Sequence, residues 1–130
     1  MIDRRRLLIA ASLAFAAGPV FAEGFSTTPF EKGAFDAAVA AGGPVLVEIS
    51  APWCPVCATQ KEHLAGIFAD DRFNAFTVFE VSFDDQKDVV RALGAQAQST
   101  LIVYAGGAEV SRSVGDTSRE SIAAMLDMAL

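Results

Sequence analysis

The apolar positions of this chain change period several times, and each change marks an element. Phe30, Ala34, Ala37 and Ala41 recur at helical spacing, and Gly42-Gly43-Pro44 ends the run, which predicts a helix over 30–41. Val45-Leu46-Val47-Glu48-Ile49 is short, apolar and rich in β-branched residues, the pattern of a buried central strand. From Pro55 to about Phe68 the helical period returns, with Leu64, Ile67 and Phe68 on one face. Phe76 to Phe83 reads as a strand, and Asp84 to Leu93 as a helix carrying Val89, Val90 and Leu93, with Gly94 as its C-cap. Thr100 to Tyr104 and Glu109 to Val114 read as a hairpin turned at Gly106-Gly107. Thr117 or Ser118 can cap a last helix that runs to about Ala129, with Ile122, Met125 and Leu126 inward.

The predicted order is therefore α-β-α-β-α-β-β-α. Early strand–helix alternation implies parallel pairing through right-handed crossovers, and the late hairpin implies antiparallel pairing. The fold class is α/β, a mixed sheet with helices on both faces. With 130 residues, 52% apolar and ten Phe, the chain has the size and the core material of one domain.

The first residues read as a processing signal rather than as fold. Arg4, Arg5 and Arg6 precede an apolar run from Leu7 to Ala17, and Val20-Phe21-Ala22 fits a cleavage site. As a helix that run spans only about 16 Å, roughly half a bilayer core, so a membrane anchor is not expected. The arginines suit either a Sec or a twin-arginine export signal. Residues 1–22 are thus expected to be a cleaved signal peptide and residues 23–130 the working domain, located in the periplasm. Loss of Asp3 and three arginines with that segment deepens the formal net charge from −6 to −8. So acidic a domain is not expected to bind nucleic acid or anionic lipid, and once the signal is cleaved no stable membrane insertion is expected.

The only two cysteines, Cys54 and Cys57, lie in Ala51-Pro52-Trp53-Cys54-Pro55-Val56-Cys57, where a strand ends and a helix begins. A pair this close cannot staple distant segments, so in an exported protein it is redox-active or part of a metal site. Cys54 falls at the helix start, where unpaired N–H groups and the macrodipole favour a negative sulfur. Pro55 suits the first helical position. Cys57 lies one turn in, within reach of Cys54 for a disulfide. An ordinary Cys is only ~3% thiolate at pH 7, whereas a helix-start Cys near pKa 7 is about half ionised. An exposed Cys54 is therefore expected to attack a partner disulfide, with a more buried Cys57 resolving the mixed disulfide. Trp53 is expected to cover one side of the pair.

At this motif the sequence resembles the thioredoxin family. The resemblance continues through Phe76-Thr77-Val78-Phe79-Glu80-Val81-Ser82-Phe83-Asp84, Ser99-Thr100-Leu101-Ile102-Val103-Tyr104 and Val114-Gly115. It implies a four- or five-stranded mixed sheet, dithiol–disulfide exchange without a cofactor, and protein disulfides or dithiols as substrates. It also implies that Trp53, Pro55, Ser99 and Thr100 border the substrate. Three positions depart from the family pattern. Glu48 stands where cytoplasmic thioredoxins carry a buried Asp, and by resemblance it would act as general base for Cys57. Glu80 stands where the family often has Lys, so two acids should repel and one should stay protonated. Ser99 stands where the family has a cis-proline. A cis bond before Ser costs about 3–4 kcal/mol, so a trans Gln98–Ser99 bond or a changed loop is expected.

The leading expectation is an exported thiol–disulfide oxidoreductase acting as a reductant in the cell envelope. That direction rests on Glu48 and on the uncharged Val56. It requires an electron donor in the membrane, because the envelope is oxidising. The protein is expected to be a monomer. The alternative is a soft-metal module or metallochaperone holding copper or zinc through the same two thiolates. His63, six residues after Cys57, lies off the Cys57 face of the helix, and such a site would need ligands from another molecule. A redox-inactive scaffold is the third reading, and the intact cysteine pair argues against it.

Overall fold

The computed structural model describes residues 25–130. The expected signal peptide, residues 1–22, lies outside the described residues.

Five strands form one sheet in the order β1-β3-β2-β4-β5. β1 (Thr28–Pro29), β3 (Thr77–Ser82) and β2 (Val45–Ser50) run parallel, while β4 (Thr100–Ala105) and β5 (Ala108–Val114) add antiparallel pairing. Four helices connect them: α1 (Lys32–Ala40), α2 (Pro55–Ile67), α3 (Lys87–Ala92) and α4 (Arg119–Asp127). A 3-10 turn at Asp71–Phe73 precedes β3.

β2 is buried along its whole length because both its faces are covered. Leu46 points into a cluster with Leu64 and Ile67 of α2, Leu101 and Val103 of β4, and Ile122, Met125 and Leu126 of α4. Val45, Val47 and Ile49 point the other way, against Phe30, Phe79, Val90 and Ile102, with Phe35 and Val39 of α1 closing that side. Strand alternation therefore aims Glu48 at the α2 side of the sheet, in line with Leu46.

Every predicted element is present, and the boundaries shift for physical reasons. Phe30 does not belong to α1. It precedes the N-cap Glu31, whose carboxylate accepts from the amides of Gly33 and Ala34. Phe30 instead packs against Phe35, ring centroids 5.0 Å apart, a hydrophobic staple that fixes the entry to the helix. α3 starts at Lys87 rather than Asp84. Ser82 and Gln86 brace the intervening turn, where the Ser82 amide donates to Gln86 Oε1 and the Gln86 amide to the Ser82 carbonyl. Gly94 at φ +69° does close that helix, with Ala95 N donating to Val90 O and Gly94 N to Arg91 O. β1, which periodicity did not indicate, is two residues long and extended only because it pairs with β3.

Candidate functional site

The cysteines follow the carboxyl end of β2, beside the start of β4. Cys54 is the N-cap of α2, and its Sγ accepts from the Cys57 amide at 3.1 Å. The sulfur thus takes the part that a Ser or Asp oxygen plays at other helix starts. Pro55 occupies the first turn. Both cysteines are free thiols. Cys54 is not the exposed residue expected. It is 5% accessible against 2% for Cys57, because Ala51, Val56 and Phe83 pack around the pair. Burial, followed by the neighbouring Cys54 thiol, pushes the Cys57 thiol up to about 11, while the backbone amides of Ala51 and Ser99 pull it down.

Trp53 is 57% exposed and lies over this surface, edge-on to Phe83. Its Nε1 donates to Asp84 Oδ2 at 2.8 Å. A cleft of about 450 Å³ is lined by Phe83 together with Lys87, Val90 and Arg91. Trp53 is the only tryptophan in the sequence, so its fluorescence reports on the site alone. Asp84→Ala should shift that emission and raise KM for a protein disulfide by no more than about fivefold, the worth of one exposed hydrogen bond. Unchanged emission in the variant would show that Asp84 does not hold the indole.

On the face of the sheet that α2 covers, Glu48 is the only charged side chain buried among the described residues. Its Oε1 accepts from Lys61 Nζ at 2.9 Å, and the same ammonium reaches Glu80 Oε2 at 3.0 Å. Strand register sets Glu48 beside Glu80, and Ser50 Oγ donates to Glu80 Oε1. The expected repulsion of two acids is therefore relieved by a lysine from α2, one turn beyond Cys57. Lys61 was invisible to sequence reasoning because only the α2–β3 packing brings it there. Burial raises the Glu48 pKa against the opposing pull of Lys61, with Glu80 adding to the rise. The Glu80 carboxyl is lowered: burial opposes ionisation, and Lys61 and Ser50 outweigh it.

A carboxyl that is raised on folding supports the fold below its unfolded pKa and loses that support as pH climbs through its folded value. Wild type should accordingly become less stable relative to Glu48→Gln as pH rises from 4 to 8. Urea midpoints at both ends test this, and a difference that does not change with pH would contradict the raised Glu48.

Ser99 has a trans peptide bond and a left-handed backbone, φ +57°, the one such non-glycine residue described. This is the changed loop expected where a proline is missing. The Ser99 hydroxyl turns back to the Gln98 carbonyl at 2.6 Å, and Thr100 Oγ1 donates to Ala97 O at 2.7 Å. Both residues are buried, so their side chains brace the loop. Sequence reasoning also missed Gln60, a buried polar side chain on α2 that bonds to this loop. A glutamine one turn beyond a cysteine carries no signal of that role in the sequence. Among the described residues no group of three or more His, Cys, Asp and Glu side chains is placed to hold a metal ion.

The thioredoxin family model matches residues 26–128. The chain is 38% identical over 85 residues to thioredoxin-2 of Saccharomyces cerevisiae, covering 62% of this chain and 77% of that protein. It is 29% identical over 73 residues to thioredoxin Asp f 29 of Aspergillus fumigatus, covering 56% of this chain and 66% of the relative. Among solved structures, Trxlp from Edwardsiella tarda EIB202 superposes with a TM-score of 0.74 at 42% identity, over 78% of this chain and 98% of that one. With the sheet order, the helix-capping cysteine pair and a family match across nearly all of the described residues, the chain belongs to the thioredoxin family, whose chemistry is thiol–disulfide exchange.

Proposed function

We propose that the protein is an exported thiol–disulfide oxidoreductase that reduces protein disulfides in the cell envelope, with Cys54 attacking and Cys57 resolving. One observation carries the division of labour. The Cys54 sulfur already accepts the Cys57 amide at the helix start, while burial holds Cys57 as a thiol up to about 11.

In the first step the Cys54 thiolate attacks one sulfur of the partner disulfide. That bond breaks, half of the partner leaves as a thiolate, and a mixed disulfide forms. Cys57 then loses its proton and attacks the Cys54 sulfur. The second partner thiolate leaves, and two electrons have passed from the pair to the partner. Glu48 is the proposed acceptor of the Cys57 proton: it is buried on the face of the sheet that α2 covers, and its raised pKa matches it to that task. Trp53 and Pro55 present the outer surface that meets the partner, with Ser99 and Thr100 backing it from the β4 side.

The envelope location rests on Arg4–Arg6, the apolar run Leu7–Ala17 and Val20-Phe21-Ala22, with the domain beginning near Glu23. The reducing direction rests on Glu48 and on the uncharged Val56, and re-reduction would draw on an electron donor in the membrane. The test is the reduction potential of the Cys54–Cys57 couple, by equilibration in glutathione buffers. A value near about −250 mV or below supports a reductant, whereas one above about −150 mV would make the protein an oxidant or isomerase.

A further inference from the structure

Lys32, Lys61, Arg72 and Arg112 each reach a carboxylate. Among the described residues, Lys87, Arg91 and Arg119 form no ion pair. Two of these three, Lys87 and Arg91, stand one turn apart on α3 and border the same cleft of about 450 Å³. Its remaining lining is largely apolar: Phe83 and the buried Val90 and Ala95. Phe83 joins the cleft to the chemistry. It packs against the Cys54–Cys57 cluster, its ring meets the Trp53 indole at 6.4 Å, and the Lys87 ammonium lies 4.5 Å from the same ring. From the indole to that ammonium is thus a path over one phenyl ring, which three or four extended residues span at about 3.3 Å each. The acids nearby are otherwise placed. Asp84 accepts from Trp53 Nε1, Asp85 accepts from Ser82 Oγ, and Asp88 does not line the cleft. A chain of formal net charge −6 therefore leaves two cations without a carboxylate on an apolar cleft beside its thiols.

We propose that this cleft selects acidic partner segments: Phe83, Val90 and Ala95 take an apolar residue of the chain flanking the partner's reactive cysteine, and Lys87 and Arg91 take an acidic residue beside it. The proposal rests on the reading of a protein disulfide attacked by Cys54, and it names which disulfides react fastest. Arg91 can grip a carboxylate through two N–H groups, while Lys87 acts as a point charge. Both side chains are exposed, so each pair adds a modest preference. That preference opposes the field of the whole chain. An acidic protein repels an acidic segment at long range and attracts a basic one, whereas the cleft favours the acidic segment at contact. The order of reactivity therefore separates a local site from general electrostatics.

Three symmetric peptide disulfides test this. Each strand carries one cysteine and one leucine, with Glu, Gln or Lys placed three and four residues from the cysteine on both sides. Each is mixed with the reduced protein at pH 7 and low salt, and the release of two peptide thiols per protein is followed after acid quench. Rates are divided by those with dithiothreitol, which removes the peptides' own differences in reactivity. The Glu peptide should react about three- to tenfold faster than the Lys peptide, and the margin should shrink as salt is raised. With Lys87→Gln and Arg91→Gln together the preference should vanish or invert, and each single change should remove part of it. Arg119→Gln deletes a cation on α4, which packs on the opposite face of the sheet from α3, and should keep the preference. Urea midpoints identify any variant that has merely lost its fold, in which case the single changes decide. A wild type with no preference or with a preference for Lys, or folded variants that still favour Glu to the wild-type extent, would overturn the proposal. Failure of the wild type to reduce any of the three peptides would instead remove the reading of Cys54 on which it stands.

Discussion

Replacing Cys57 with serine is expected to abolish multiple turnover while leaving the first attack intact. The two cysteines have different surroundings. Cys54 caps α2 and receives the amide of residue 57, which a serine still supplies. Cys57 is buried with its thiol pushed up to about 11, so it serves the second, intramolecular displacement. A serine hydroxyl cannot displace a thiolate from a mixed disulfide under these conditions. The Cys54–partner bond should therefore persist, and the variant should accumulate as a covalent adduct with its substrate. Non-reducing electrophoresis or intact-mass measurement after reaction with a model disulfide checks this. Cys54→Ser should form no adduct. If Cys57→Ser turned over, or if Cys54→Ser formed the adduct, the assigned roles would be reversed or absent.

The second large effect concerns the fold beneath the site. Leu101 is fully buried in β4, one residue beyond Thr100, and its strand partner is Glu48. It packs in the cluster that joins α2 and α4 to the sheet. Leu101→Ala removes apolar volume where neither a strand nor a packed helix can close the gap, which costs about 3 kcal/mol. For a domain of this size that lowers Tm by roughly 10 °C or more. Below the transition the cysteines should still exchange, because no bond of the Cys54 cap involves Leu101. A Tm within a few degrees of wild type would mean that the core tolerates the cavity, contrary to the packing described.

Much of this was legible in the sequence, and the rest was hidden for identifiable reasons. The central strand, the helix opened by Cys54 and Pro55, and the Gly106-Gly107 hairpin follow from period, capping and turn chemistry, all of which act between near neighbours. β1 was hidden because two residues carry no period and only β3 makes them a strand. The start of α3 was hidden by the two bonds between Ser82 and Gln86, one to the Gln86 side chain and one along the backbone. At the site, Cys54, Cys57 and Glu48 announce themselves by type and spacing. Lys61 and Gln60 look like ordinary helix residues. Their roles exist only after α2 lies on the sheet, so that one ammonium meets two strand acids and one amide meets two loops. The missing proline at 99 predicted a trans bond, while the left-handed turn that replaces it depends on those tertiary bonds.

The central claim is the order of events at the cysteine pair, and the most direct test maps where the partner is attached. The reduced protein is mixed with one equivalent of a peptide disulfide, quenched with acid at successive times, digested and analysed by mass. The account predicts an early adduct on Cys54 alone, replaced by a Cys54–Cys57 disulfide as the second peptide thiol is released. An adduct on Cys57, or substituted cysteines with no internal disulfide at the end, would contradict it.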